Sequence, residues 1–334
     1  MNRIKVGIYG AAGYAGQNLV EILAAHPSTE IVFATSNTYT NEPVALTDLR
    51  YIASDNVDLD GVEVVFLALP HKASAPIANV ARAAGKKVID LSADLRFDDA
   101  DNYQKWYDVV HPHPEMLMDA PYGLPEMHRN KIAEADMVGV PGCYPTATLL
   151  GLYPLLSMKG LSLDAPIIVD AKSGVSGAGR GATATTHFIN AYGDIIPYKV
   201  GRKHRHVGEI EQEINRFMPS ADQLIFTPHL VPIDRGLMAS IYAALNYSIT
   251  GDKVHALYNN IYSDEPLIEV LAPDKQASFK GVQRQNNAQI SITPISERYV
   301  HITCTIDNLR KGAASQAVQC FNLMMSLPEI EGLL

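Results

Sequence analysis

The sequence predicts an α/β fold, in which a Rossmann-type parallel-sheet domain precedes an α+β domain built on a mixed sheet. Three observations predict it. Short apolar runs alternate with helical spacing through the first half. The first of these runs leads into a glycine-rich turn. Past Cys143 the strands lengthen and begin to alternate apolar with polar residues.

Taken in order, Ile4–Tyr9 reads as a strand, the glycines 10, 13 and 16 as a turn, and Tyr14–Ala25 as a helix. Ile31–Ala34 is a second strand, and Val64–Leu69 a buried strand bounded by Pro70. Ala73–Ala84 has helical spacing and stops at Gly85, a residue suited to a helix C-terminus. Lys87–Leu91 is the next strand. Strands alternating with helices make βαβ units and a parallel sheet. After Cys143, Ala147–Leu156 reads as a helix. Strands are expected at Ile167–Ala171, Leu224–Thr227, Met238–Ile249, Ala288–Thr293 and Tyr299–Thr305. Helices Glu209–Phe217 and Asp252–Tyr262 lie among them, and Lys311–Leu327 closes the chain as an apolar-faced helix. Long strands joined by loops suggest a mixed or antiparallel sheet with helices on one face. The domain boundary falls near 145/146.

Composition narrows the function. With 334 residues, 47% of them hydrophobic and 19% charged, the chain is long enough for two cores and too apolar for disorder. Lys+Arg is 27 against 36 Asp+Glu, a net charge of −9. Such a chain is repelled by phosphate backbones and anionic lipid, so neither nucleic acid nor membrane is an expected partner. No apolar stretch approaches the ~18–20 residues of a membrane span. The start, Met1–Lys5, lacks the unbroken apolar segment of a signal peptide. Three cysteines without a CxxC pair suggest neither a disulfide framework nor a zinc site, and no metal is expected. A reduced, cytoplasmic protein is the expectation.

The glycine turn carries the first functional signal. A strand, then Gly10-Ala11-Ala12-Gly13-Tyr14-Ala15-Gly16, then a helix is the context of a dinucleotide site. Glycines permit the tight turn and let backbone amides approach a pyrophosphate at the helix N-terminus. The spacing is GxxGxxG rather than GxGxxG, and a ligand-free turn would look similar. Gly10, Ala12, Gly13, Tyr14, Ala15 and Gly16 are the expected cofactor contacts. The second strand ends in Thr35-Ser36-Asn37, with no carboxylate to repel a 2′-phosphate, so NADP(H) is expected over NAD, held partly by Thr35 and Ser36.

Three further segments carry chemistry. Val140-Pro141-Gly142-Cys143-Tyr144-Pro145-Thr146 puts Cys143 at or just before a helix N-terminus, where the helix dipole favours a thiolate. Cys304 and Cys320, in a strand and a helix, read as buried and inert. Gly201-Arg202-Lys203-His204-Arg205-His206 is the densest positive cluster of an acidic chain. Its cations suit a phosphate or carboxylate, and a histidine there could serve as acid and base; a solvated charge run is the plain alternative. Ser173-Gly174 through Arg180 follows a strand and could form an anion nest or simply a loop. A dinucleotide loop, a thiolate, a histidine and an anion cluster together suit acyl-phosphate reduction. The thiolate expels phosphate, and the resulting thioester accepts hydride to give an aldehyde.

These blocks, with Asp90–Arg96, Tyr122–Glu126, Phe226–Leu230 and Asp307–Ala314, occur in one order along nearly the whole chain. The chain thereby resembles the N-acetyl-γ-glutamyl-phosphate reductase family of arginine biosynthesis, within the aspartate-semialdehyde dehydrogenase superfamily. The resemblance implies that Cys143 is the nucleophile and that the His-Arg-His block holds the acid/base histidine, His206 being favoured and His204 the alternative. It implies substrate contacts from Ser173, Arg180 and Arg205, beside which Arg96, Gly174 and Lys203 are further expected contacts, and it places Asn308 near the nicotinamide. It further implies an NADP-binding domain of residues 1–145 completed by a C-terminal helix, 309–334. Residues 146–308 would then form a substrate-binding and dimerisation domain, assembling as a homo-oligomer, dimer or tetramer. Two segments depart from the family pattern. Val207-Gly208 stands where many relatives carry Thr or Gln and then Pro, and Thr38–Ile52 follows the pattern loosely.

Three other readings compete. A paralogous reductase of phosphorylated α-aminoadipate differs by one methylene of substrate, a difference worth only ~1–3 kcal/mol in a pocket. Aspartate-semialdehyde dehydrogenase itself is disfavoured by the His-Arg-His block. A non-catalytic NADP(H)-binding redox sensor would bind cofactor without turnover.

Overall fold

The computed structural model describes residues 3–181, 183–218 and 224–334. Its backbone divides into two compact units, Met1–Gly142 with Ala313–Leu334, and Cys143–Gly312. The sequence placed these divisions at 145/146 and 308/309. Cys143 and Asn308 therefore belong to the same unit.

The first unit follows the βα alternation read from the sequence. Its elements are β1 (Ile4–Tyr9), α1 (Tyr14–Ala25), β2 (Thr29–Ala34), β3 (Val64–Leu67), α2 (Ser74–Ala83), β4 (Lys87–Asp90), α3 (Ala100–Tyr107), α4 (Pro125–Glu134) and β5 (Met137–Gly139). The five strands form one sheet in the order β2-β1-β3-β4-β5, every pairing parallel. Val64–Leu67 is buried throughout, as a strand covered on both faces must be. Two helices went unread in the sequence. Asp99 caps α3, its carboxylate accepting from the amides of Asp101 (3.1 Å) and Asn102 (3.2 Å). Pro125 opens α4 at a position that needs no N–H.

The second unit contains α5 (Cys143–Ser157), β6 (Ile167–Gly174), α6 (Phe188–Ala191), β7 (Ile196–Pro197), α7 (His206–Asn215), β8 (Leu224–Val231) and β9 (Leu237–Ala244). It continues with α8 (Gly251–Ile261), β10 (Ile268–Val270), α9 (Phe279–Val282), β11 (Ala288–Ser296) and β12 (Tyr299–Ile306). Seven strands run in the order β10-β11-β12-β9-β6-β8-β7, with β6/β8 and β10/β11 parallel and the rest antiparallel. α5 packs on β9 and β12, α7 on β8, and α8 on β11. On the face away from these helices, Ile168, Ile225, Tyr242 and Tyr299 are exposed.

α5 carries a proline at 154, which cannot donate to the carbonyl of Leu150. The hydroxyl of Tyr262 donates to that carbonyl instead, at 2.5 Å. The helix therefore continues through the proline with that carbonyl met, and it starts at Cys143, before the Ala147 of the apolar run and where the cysteine motif suggests a helix N-terminus. The expected strand Met238–Ile249 is shorter, ending at Ala244. The strand expected to stop at Thr227 continues through Pro228 to Val231, Pro228 keeping its place by its carbonyl, which accepts from Tyr198 N at 3.1 Å.

The last helix, α10 (Ser315–Met324), belongs to the first unit and packs on α4 and α1. It is preceded by a wide π-type turn over Arg310–Ala314, where the sequence had suggested one helix over Lys311–Leu327. Arg129 pairs with Glu329 at 2.8 Å, and His26 meets Asn322 at 3.0 Å, which fasten the tail to that unit. Among the described residues no helix is long and apolar enough to cross a membrane.

Candidate active site

In the first unit the candidate site is the crevice at the carboxyl ends of the parallel strands. Gly10 has φ +73, and a Cβ there would lie 2.4 Å from the carbonyl oxygen of Ala68. A Cβ at Gly16 would strike the Gly10 carbonyl at 2.3 Å. Side chains at either position would break the tight passage from β1 into α1. Helix α1 begins after Gly13 with no side-chain cap and no acidic residue in its first turn. Tyr14 and Ala15 form the start of that turn, directly after Ala12 and Gly13. A helix end left clear of carboxylates and caps suits a dinucleotide pyrophosphate, so the residues fit the cofactor.

The neighbouring residues serve this loop in different ways. Thr35 is fully buried, and its hydroxyl accepts from Gly10 N at 3.0 Å, holding the loop from beneath. Ser36 uses its hydroxyl to accept from Tyr39 N at 3.1 Å. Asp94 gathers the adjoining β3–α2 connection. Its carboxylate accepts from Lys72 N (2.9 Å), Ser74 N (3.0 Å) and Ala75 N (3.1 Å), and stands 2.9 Å from His71 Nδ1. Burial alone would raise this carboxyl, but the hydrogen bonds from His71, Lys72 and Ala75 outweigh it and lower Asp94 to about 2. Arg96 is buried in the same unit, donating to the carbonyls of Val140 (2.7 Å) and Leu91 (3.0 Å).

In the second unit Cys143 is the first residue of α5 and is half-buried, whereas Cys304 and Cys320 are buried. Tyr144 beside it organises the surroundings. Its hydroxyl donates to His229 O (3.1 Å) and accepts from the hydroxyl of Tyr198 (3.2 Å). Its ring centroid lies 5.7 Å from His204, 6.0 Å from His206 and 5.4 Å from Phe226. The two histidine rings are 4.6 Å apart. A frame of aromatic rings thus brings the N-termini of α5 and α7 together, with Cys143 opening one and His206 the other. Burial, reinforced by the charge of Cys143 and opposed by the Tyr144 hydrogen bond, pushes the Tyr198 phenol up to about 12, so it stays protonated.

The two histidines have distinct environments. His204 accepts from His206 N through Nδ1 (3.2 Å), and its carbonyl accepts from Val207 N (3.0 Å), so it caps the start of α7. Burial, helped by the charges of Lys199 and Arg205, lowers His204 to about 3. Unfolding restores its ordinary 6.5, so between those values the unfolded chain binds the extra proton. Stability therefore falls as pH drops from 6.5 toward 3. His204→Asn keeps an acceptor for the His206 amide and should flatten that slope in urea melts taken across this range. An unchanged slope would assign the acid sensitivity to other groups.

The remaining expected contacts divide. Ser173 is buried and its hydroxyl donates to Gly174 O at 3.1 Å. Asn308 is buried, accepting from Gly236 N (2.7 Å) and donating to Ser176 Oγ (3.0 Å). Arg205 is half-buried beside His204, while Arg180 and Lys203 are exposed. Tyr144, Tyr198 and Phe226 were missed as site residues. The one signal for Tyr144 is its place next to Cys143; the rings of Tyr198 and Phe226 lie far from it in sequence.

Comparison with known proteins gives the class first. Residues 5–135 match the family model "Semialdehyde dehydrogenase, NAD binding domain", and residues 143–308 match "Semialdehyde dehydrogenase, dimerisation domain". The chain is thus an oxidoreductase of the semialdehyde dehydrogenase class with a nicotinamide-dinucleotide domain. The N-acetyl-gamma-glutamyl-phosphate reductase of Moorella thermoacetica is 43% identical, covering 98% of this chain and 96% of the relative. That of Citrifermentans bemidjiense is 44% identical, covering 99% and 98%. The chain belongs to the N-acetyl-gamma-glutamyl-phosphate reductase family. Among solved structures, aspartate semialdehyde dehydrogenase II complexed with ASA from Vibrio cholerae superposes with a TM-score of 0.78 at 19% identity, covering 98% of this chain and 99% of that one. Aspartate semialdehyde dehydrogenase with NADP from Candida albicans gives 0.71 at 15% identity, covering 97% and 99%. At these identities the likeness supports the fold.

Proposed function

We propose that the protein reduces N-acetyl-L-glutamyl 5-phosphate to N-acetyl-L-glutamate 5-semialdehyde and phosphate, with NADPH, as a step of arginine biosynthesis. The observation that carries this reading is that Cys143 opens α5 and His206 opens α7, with the ring of Tyr144 6.0 Å from that of His206. The relatives named for this reaction support the substrate.

The chemistry follows from the residues. The Cys143 thiol gives its proton to His206, and the sulfur attacks the acyl carbon. The bond from that carbon to the phosphate oxygen breaks, and His206 returns the proton to the departing phosphate. Arg205, Arg180 and Lys203 supply positive charge for that leaving group, and the Ser173–Gly174 turn supplies polar contacts. When bound, NADPH supplies a hydride for the acyl carbon. Collapse then expels Cys143 as thiolate, releases the aldehyde, and takes up one proton from solvent. His204 stays neutral and keeps the His206 backbone in place. Arg96 donates to the carbonyls of Leu91 and Val140 in the first unit, which holds its guanidinium in place there.

A homo-oligomer joined through the open sheet face, with Ile168, Ile225, Tyr242 and Tyr299 covered, accompanies this reading, as does a cytoplasmic location. The reaction run in reverse tests it. N-acetyl-L-glutamate 5-semialdehyde with NADP should give reduced cofactor only when inorganic phosphate is present. NAD should be at least about tenfold poorer in kcat/KM, since the end of β2 offers hydroxyls and no carboxylate. Phosphate-independent turnover, or a preference for the aminoadipyl semialdehyde, would overturn the substrate assignment. Equal efficiency with NAD would overturn the cofactor preference.

A further inference from the structure

Asp307 takes no part in the steps above, yet it is fully buried and surrounded by donors. Its Oδ1 accepts from the amides of Leu309 (2.8 Å) and Arg310 (3.2 Å). Its Oδ2 accepts from the amide of Arg284 (2.6 Å) and lies 3.4 Å from Arg235 Nη1. Its backbone carbonyl accepts from Gly312 N at 3.0 Å. Charged acceptors bind such donors strongly, and each one lost leaves a buried group unmet. The carboxylate therefore holds the turn from 307 to 312 in one shape.

That shape presses Gly312 against the nucleophile. A Cβ at 312 would lie 2.8 Å from the Cβ of Cys143 and 3.2 Å from the Asp307 carbonyl oxygen. Backbone can back onto Cys143 here because glycine has no side chain to interpose. Asn308, the next residue, grips the other side of the same structure. Through Gly236 N it holds the Arg235–Gly236 turn, whose Gly236 carbonyl accepts from Gly174 N at 2.9 Å. Its own Nδ2 donates to Ser176 Oγ. The loop 173–176 and the back of Cys143 are thus fixed by two adjacent residues.

We infer that Asp307 is a positioning residue. Through Gly312 it sets the placement of Cys143, and with Asn308 it sets the Ser173–Ser176 loop relative to that sulfur. The inference rests on Cys143 being the nucleophile, as proposed above. Displacing a nucleophile by about an ångström costs on the order of 100-fold in rate.

Full-length Asp307→Asn and Gly312→Ala test it. Cys143 alkylation by iodoacetamide at pH 7 is followed by mass spectrometry, alongside kcat, KM and circular dichroism. Both variants should change the alkylation rate about tenfold and lower kcat about 100-fold with folded spectra, and Gly312→Ala should keep KM within about threefold of wild type. If Asp307→Asn fails to fold, Gly312→Ala decides alone, because its methyl acts on Cys143 directly. Alkylation and kcat within about twofold of wild type in Gly312→Ala would overturn the inference. So would an Asp307→Asn enzyme that loses kcat only in proportion to its unfolded fraction. Alkylation needs neither substrate nor cofactor. An altered rate in the variants upholds the positioning role even if the wild-type enzyme reduces no acyl phosphate.

Discussion

Cys143→Ser is expected to lower turnover by about 10³-fold or more while NADPH affinity stays within about twofold. The asymmetry follows from where the residue sits. Cys143 opens α5 in one unit, whereas the glycine turn of Gly10–Gly16 belongs to the other. A hydroxyl in place of the thiol is almost as large but holds its proton far more tightly, so the helix end that favours a thiolate gains little from it. The comparison requires turnover in the phosphate-dependent direction and fluorescence titration of NADPH on the same preparation. Residual activity above a tenth of wild type would refute a covalent route. A large loss of NADPH affinity would mean instead that the cysteine helps to bind the cofactor.

His206→Asn should lower kcat by about 10²–10⁴-fold, the usual span for a lost general acid and base, with the fold intact. Asparagine keeps much of the packing against Tyr144 and His204 but cannot exchange a proton near neutral pH. His204→Asn should cost far less. His204 is held neutral by burial and by Lys199 and Arg205, so it carries no proton to deliver in the working range. Its Nδ1 is already engaged with the amide of His206. If His204→Asn proves the more damaging change, the roles of the two rings are reversed. Both variants are best read across pH, where only removal of the true acid and base should abolish one limb of the kcat profile.

The parallel-sheet unit was open to reading because its signals are local. Gly10, Gly13 and Gly16 sit between a period-two run and a period-3.6 run, and Ile4–Tyr9 and Tyr14–Ala25 form the expected strand and helix. Cys143 was legible for the same reason, hemmed by Gly142 and Pro145 at the start of an apolar stretch. The helix Ala100–Tyr107 had a usable signal in Asp99, but its polar composition hid the apolar stripe that would have drawn notice. The frame around the histidines was not legible. Tyr144, the stretch from Tyr198 to His204, and Phe226 come from three separate segments, and only the folded chain joins them. Asp307 stands in a sequence block that shows no role for it, since nothing in sequence links it to Arg284 or Arg235. The same blindness applies to Tyr262, whose hydroxyl makes Pro154 tolerable from more than a hundred positions away.

The tail that joins α10 to the parallel sheet has a consequence for biogenesis. Residues of the first unit lie on both sides of Cys143–Gly312 in the chain. During synthesis the whole of that intervening unit, down to Tyr299–Ile306 inside its sheet, is made before Ser315–Met324. The sheet that opens with Ile4–Tyr9 must wait, its α1 and α4 surfaces bare until the late helix arrives. The parallel-sheet unit is therefore the later of the two to be complete in sequence, and a chain cut off before Ser315 would leave the α1 and α4 surfaces uncovered.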